Sequence, residues 1–385
     1  MRSSTIVMAA AFLAAMSAAA ARADSMTPVT REMLAALKLP DSALDGLDAE
    51  LAVPQAWVDG AKRDGAIKVR LTSAEPQFAA YLRLFKARYP GVEIEYFRGL
   101  GPQRAVQPLV AFKRGTYVTD VVSSFETLEK DYRESDALEK IADELPAYKS
   151  IRPEFASAHG VATAWRVTYY CMAYSKKAVK KDELPKTWDE LVENPRWRDG
   201  KVGMASNFNV WLAELWGLKG SAWGESYMNK LFTVLKPQYR KENLSMAPKL
   251  AALGEYEVSV PSGDGIVAGY ERDGLPIGYH CPSPVPAYMA WVGILKGNPH
   301  PNGARLFVNW LLSREGQLAA AWADDAIPAH AGLQRKELMS YPDEILGKPA
   351  APLSQTVLDM MPEIAAKWHE AWTRAGGPGG SGEAR

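Results

Sequence analysis

The sequence is short of the residues that most often carry chemistry. Among 385 residues there are two cysteines, Cys171 and Cys281, and five scattered histidines. No CxxC pair, HExxH, GxSxG, Walker loop or dinucleotide fingerprint is present. Zinc, an activated serine and a bound nucleotide therefore have no legible motif, and no metal and no cofactor are expected. Net charge is also missing: 45 Lys and Arg face 45 Asp and Glu. Without a whole-molecule field, nucleic acid and anionic membranes are disfavoured as partners. Long apolar runs are absent except at the start, where Ile6 to Ala20 falls short of the roughly 20 residues a spanning helix needs. That run ends in Ala21-Arg22-Ala23, a small-x-small cleavage site. Residues 1–23 are read as a signal peptide, the mature chain as starting near Asp24, and its destination as the periplasm. No cysteine follows to take a lipid.

What is present is an ordinary globular balance, 47% hydrophobic and 23% charged residues, in a chain long enough for two domains. After a helical stretch over residues 24–62, "AIKVRLTS", "VEIEYFRG" and "VTDVVSS" read as strands. Between them lie helices, the first with Phe78, Tyr81, Leu82, Phe85 and Tyr89 on one face. Strands "VTYYCMAYS", "KVGMAS" and "EVSVPSGDG" follow, the last running into a Gly-rich turn, with helix over 209–230 and in "MAPKLAALGEY". Such alternation predicts an α/β fold with a mostly parallel sheet. The tail "AGGPGGSGEAR" reads as disordered.

In open α/β sheets ligands sit beyond the carboxyl ends of strands. Here those ends are Thr72-Ser73, Arg98 to Gly101, Ser123-Ser124, Ser206-Asn207 and Ser262-Gly263-Asp264-Gly265, all small, polar or Gly-rich. They predict a binding cleft. Arg104 and Arg166 are candidate anion partners, with structural ion pairs as the plainer reading. Alternation along a strand puts the rings of Tyr169 and Tyr170 on opposite faces, and Tyr169 is the candidate for the cleft. Asp324-Asp325 reads as a solvated helix end. An oxidising compartment permits a Cys171–Cys281 bridge, and two buried thiols fit as well.

The order "KVRLTSAEPQFAAYLRLFKARYPGVEIEYFRG", "GTYVTDVVSS", "RVTYYCMAYSKKAVKKDELPKTWDELVENPRWRDGKVGMAS" and "NPHPNGARLFVNWLLSREGQ" resembles the extracellular solute-binding proteins of ABC importers, in their ferric-iron-binding-like branch. The resemblance spans about residues 65–330. It implies a two-lobe α/β periplasmic binding protein fold (type II), with mixed sheets, helices on both faces and a hinge of crossing strands. Lobe 1 would take residues 63–168 and 283–375, lobe 2 residues 169–282, with a tail over 376–385. A small solute would be trapped between the lobes by Thr72, Ser73, Arg98, Arg104, Ser123, Ser124, Arg166, Tyr169, Asn207, Ser262 and Asp264. A monomer would deliver it to a membrane permease, without catalysis. Both cysteines fall near the implied crossings, which favours their pairing. In "NPHPNGARLFVNWLLSREGQ", Asn302 would cap a helix burying Ala304, Phe307, Val308 and Leu311, and Ser313 would cap the next, supporting the cleft without touching the solute. One departure concerns iron: the family's ferric-binding members carry adjacent tyrosines where this chain has "PSGDGIV". A small organic or anionic solute fits better. An iron carrier using Tyr, His280 and carboxylates, a secreted hydrolase and a sensory receptor are the alternatives.

Overall fold

The computed structural model describes residues 26–378, so the expected signal peptide and residues 379–385 of the tail lie outside the described residues. Helices α1 (Pro28–Ala36), α2 (Leu47–Glu50) and α3 (Gln55–Arg63) come first. Strands and helices then alternate through β1 (Ile67–Leu71), α4 (Glu75–Arg88), β2 (Ile94–Arg98), α5 (Val106–Lys113), β3 (Val121–Ser123) and α6 (Glu129–Glu134). The long β4 (Thr163–Ser175) leads to α7 (Trp188–Glu193), β5 (Val202–Ala205), α8 (Leu212–Lys219), α9 (Ser221–Lys230), β6 (Gln238–Arg240) and α10 (Met246–Leu253). After these come β7 (Val258–Gly263), α11 (Asp264–Arg272), β8 (Ile277–His280) and β9 (Val285–Ile294). The chain finishes with α12 (Pro301–Leu312), α13 (Arg314–Asp324), α14 (Pro342–Ile345), β10 (Ala350–Pro352) and α15 (Gln355–Arg374).

The strands form two halves that share β4. One half is ordered β2-β1-β3-β9-β4 and the other β6-β5-β7-β4-β8. Each has parallel strands at one side and an antiparallel pair at the other, so the two halves repeat one topology. Residues Thr163 to Tyr169 of β4 pair with β9, and from Tyr170 onward the same strand pairs with β7 and β8. The second link runs from β8 through Cys281 to β9, and β10 lies beside the start of β9 as a third. Cys171 and Cys281 are bonded, Cα atoms 5.0 Å apart, so the first two links are pinned together. A bridge of this reach, 110 residues, contributes about 2–4 kcal/mol.

The structure corrects several expectations. Asn302 is not a cap: His300 holds that position, Pro301 takes the first helical residue, where no N–H is needed, and Asn302 follows. Its amide instead donates to Asp64 Oδ2 (2.9 Å), seated where a side chain at Gly60 would collide with it. Ser313 does cap α13, accepting from the Gly316 N–H. The helix expected over 209–230 is broken at Gly220, whose φ of 89° ends α8 and starts α9. The expected Gly-rich turn after β7 is the first turn of α11. Structure also persists into the expected tail, since the Trp372 indole N–H donates to the Pro378 carbonyl (2.9 Å).

The first helices are part of the core beneath β1. Met33 and Leu34 of α1 are buried, and the Glu315 carboxylate of α13 gathers donors from three directions. Thr30 Oγ1 donates to it at 2.7 Å, Arg88 at 2.8 and 3.1 Å, and the Trp310 indole at 2.9 Å. At the far end of the chain α15 lies over both halves. Arg133 of α6 pairs with Asp359 (2.7 Å), while Trp368 packs on Phe208 and Phe232 and Trp372 on Tyr239.

Removing one partner of a buried ion pair strands the other charge. Glu315→Ala is therefore expected to lower the unfolding free energy by about 3–5 kcal/mol, measured by urea titration with the wild type alongside.

Candidate functional site

β4 sets the site because it runs through both halves. Its burial alternates, with Arg166, Thr168 and Tyr170 half-buried on one face and Val167 and Tyr169 buried on the other. A register shift between Ala164 and Arg166 starts this alternation. Arg166 donates to Thr72 Oγ1 (2.6 Å) and lies 3.5 Å from Asp324 Oδ2. The same Asp324 oxygen accepts from Ser73 (2.5 Å) and Tyr81 (2.7 Å). Burial lowers the Arg166 pKa, and Asp324 together with the nearby Tyr81, Tyr170 and Tyr288 outweighs it, so the pKa lies above the usual guanidinium value.

Tyr288 of β9 is paired with Thr168 and shares its face, its ring 5.8 Å from that of Tyr170 in an edge-on contact. Its hydroxyl donates to Glu126 Oε2 (3.0 Å), and the Trp291 N–H donates to Oε1 (2.5 Å). Burial raises the Glu126 pKa, with Trp291 and Arg104 offsetting part of it. From the other half, Glu214 in the first turn of α8 is 0% exposed and neither of its oxygens is bonded to another residue. Burial pushes its pKa well above the carboxylate range, its own backbone N–H offsets part of that, and Glu126 raises it further.

Of the expected residues, Thr72, Ser73, Arg104 and Arg166 converge on this face of β4. Ser123 and Ser124 are buried at the end of β3, Ser123 Oγ unpartnered and Ser124 bonded through its N–H to the Trp291 carbonyl. Asn207 is half-buried beyond β5. Four expectations need correction. Tyr169 points to the opposite face, into a depression of about 300 Å³ it shares with Arg152, Gln334, Met339 and Lys348. Arg98 is exposed at the end of the edge strand β2, away from Arg166 and Asp324. Ser262 turns its hydroxyl back to the Ser259 carbonyl (3.1 Å). Asp324, read as solvated, has a side chain only 8% exposed, which brings the second helix of the 298–317 pair into contact with the site.

Tyr170, Tyr288, Glu126 and Glu214 were missed. Only the parity of Tyr170 was visible beforehand; a lone glutamate carries no motif. His280 is engaged by Glu344 (3.0 Å) and the Pro185 carbonyl (2.9 Å). Among the described residues no group of three or more His, Cys, Asp or Glu is arranged to hold a metal ion.

Asp264 belongs to the hinge. At the start of α11 it is 1% exposed, its Oδ1 accepts from the Tyr169 N–H (3.2 Å), and its Oδ2 has no partner. Burial raises its pKa to about 7, despite bonds from the Gly265 and Tyr169 N–H groups.

Two half-sheets joined through shared strands, with polar side chains from both meeting at the junction, define a two-lobe binding protein. The chain belongs to the bacterial extracellular solute-binding proteins, whose family profile matches residues 68–318. Iron-bound HitA from Pseudomonas aeruginosa has a similar fold, at TM-score 0.65 and 20% identity over 80% of this chain and 99% of that one. AfuA from Actinobacillus pleuropneumoniae, solved with fructose-6-phosphate bound, gives 0.62 and 19% over 80% and 98%. An uncharacterized protein of Haemophilus influenzae is 32% identical over 152 residues, 36% of this chain; the match spans 40% of that relative's length.

Between an unfolded pKa near 3.9 and the folded value of about 7, folded Asp264 keeps a proton that the unfolded chain has released. Its stabilising contribution is therefore full below about pH 4 and lost as pH rises through 7. Asp264→Asn keeps the acceptor for Tyr169 and removes this term. Its stability relative to wild type is expected to rise from pH 4.5 to pH 7.5 in paired urea titrations.

Proposed function

We propose that this protein is the periplasmic receptor of an ABC importer, which captures a small organic solute between its two lobes and passes it to a membrane permease. The observation that carries this reading is the meeting, on one face of the shared strands, of groups from both halves. Arg104 and Glu126 come from one and Glu214 from the other, acting on one another beside Tyr170 and Tyr288. A ligand touching all of them holds the lobes together, and the bound form is the shape a permease distinguishes.

The lobes are taken as residues 63–168 with 283–375, and 169–282, with cleavage after Ala23 releasing the mature chain. Hydrogen bonds, aromatic faces and charge are enough to hold a solute here; the reading needs no catalytic group. The solute contacts are assigned to Thr72, Arg104, Ser123, Tyr170, Asn207, Glu126, Glu214 and Tyr288. Arg166, Ser73 and Asp324 form the rigid corner beside them.

The test begins with mass spectrometry of the small molecule carried through native purification, followed by its titration into refolded protein. A solute at 100 times its dissociation constant adds about 2.7 kcal/mol, which thermal melting detects. Tyr170→Ala is expected to weaken binding at least tenfold, and Tyr169→Ala to leave affinity within about threefold while lowering the melting temperature. Equal losses of affinity in both variants would remove the cleft from this face of β4.

A further inference from the structure

We propose that the cleft takes a solute bearing a protonated amine, gripped by Glu214 from one lobe and Glu126 from the other. This rests on the receptor reading above and adds the charge of the cargo.

The argument starts from a carboxylate without a counterpart. Glu214 is fully enclosed, and neither oxygen is bonded to another residue. A buried carboxylate is normally paired or bonded. The one other charged group that acts on it is Glu126, a second carboxylate. The two arginines that suggest an anion are each opposed by an acid of the protein itself: Arg166 by Asp324, and Arg104 by Glu126, whose pKa it lowers. These arginines are thus answered by acids of the protein, whereas Glu214 has no donor from another residue, and an ammonium group would supply one.

The surroundings suit an ammonium group. Tyr288, bonded to Glu126, stands edge to face with Tyr170, and aromatic faces attract organic cations. Glu126 and Glu214 follow β3 and β5, which hold matching places in the two half-sheets. An amine between them draws both lobes onto one charge. Burial raises the Glu214 pKa, its own backbone N–H offsets part of this, and Glu126 raises it further.

The experiment uses mature protein refolded free of carried solute. Thermal melting and calorimetric titration are run with putrescine, ethanolamine and β-alanine, with the neutral analogues 1,4-butanediol and ethylene glycol, and with succinate and fructose 6-phosphate. At least one amine is expected to raise the melting temperature while the diols do not. Glu214→Gln is expected to lower that amine's affinity at least tenfold and to melt no lower than wild type when unliganded. Glu126→Gln, which keeps an acceptor for Tyr288, is expected to lower it less. Stabilisation by an anion alone, equal in wild type and Glu214→Gln, would overturn the amine and leave the receptor reading standing. An amine shift that survives Glu214→Gln, or no amine shift at all, would overturn it too. The molecule carried natively judges the receptor reading separately.

Discussion

Everything in this molecule hangs on β4 belonging to two sheets at once. A strand held by ladder hydrogen bonds at both ends has no free residue at which to drift, so the two halves keep a common reference frame. The strand from β8 to β9 runs beside it, and the Cys171–Cys281 bond fixes the two where the sheets part. The side chains on β4 inherit that fixity. Arg166, Thr168 and Tyr170 point where they do because the ladder sets their parity. Asp324 and Thr72 then lock the one charged member in place.

The alternation of strand and helix was open to reading because burial on one face imposes a period on the residues themselves. Phe78, Tyr81 and Phe85 announce α4 from any list of letters, and Ser313 announces the start of α13. Ends were harder to place. Pro301 moved the beginning of α12 away from Asn302, and Gly220 cut one apolar helical run into two. Both reflect backbone rules that outrank side-chain pattern.

The site was less legible, for a different reason. A sequence gives the parity of Tyr169 and Tyr170 and not the face on which the second sheet will close, so it leaves open which ring shares the face of Arg166. Asp324 sits at a helix end beside another aspartate, the pattern of a solvated terminus, and only the approach of β1 and β4 turns it inward. Glu126 and Glu214 are 88 positions apart in the numbering and come within electrostatic reach of one another through topology alone. Thr72 and Ser73 could be singled out because strand ends in such sheets are predictable places, and Arg104 and Arg166 because a guanidinium suits an anion, whatever later binds there.

The C-terminal helix α15 makes two unlike seams. Toward α6 it offers Asp359 to the partly exposed Arg133 and Gln355 to the buried Glu129, polar contacts of which the first can be replaced by water at little cost. Toward the second half it offers Trp368 and Trp372 to Phe208, Phe232 and Tyr239, apolar rings that resist wetting. If the halves swing apart, the wettable seam parts first and the greasy one stays shut. The helix, although its stretch of chain is counted with the first lobe, is then carried by the second, and its polar end becomes newly exposed surface only in the open state.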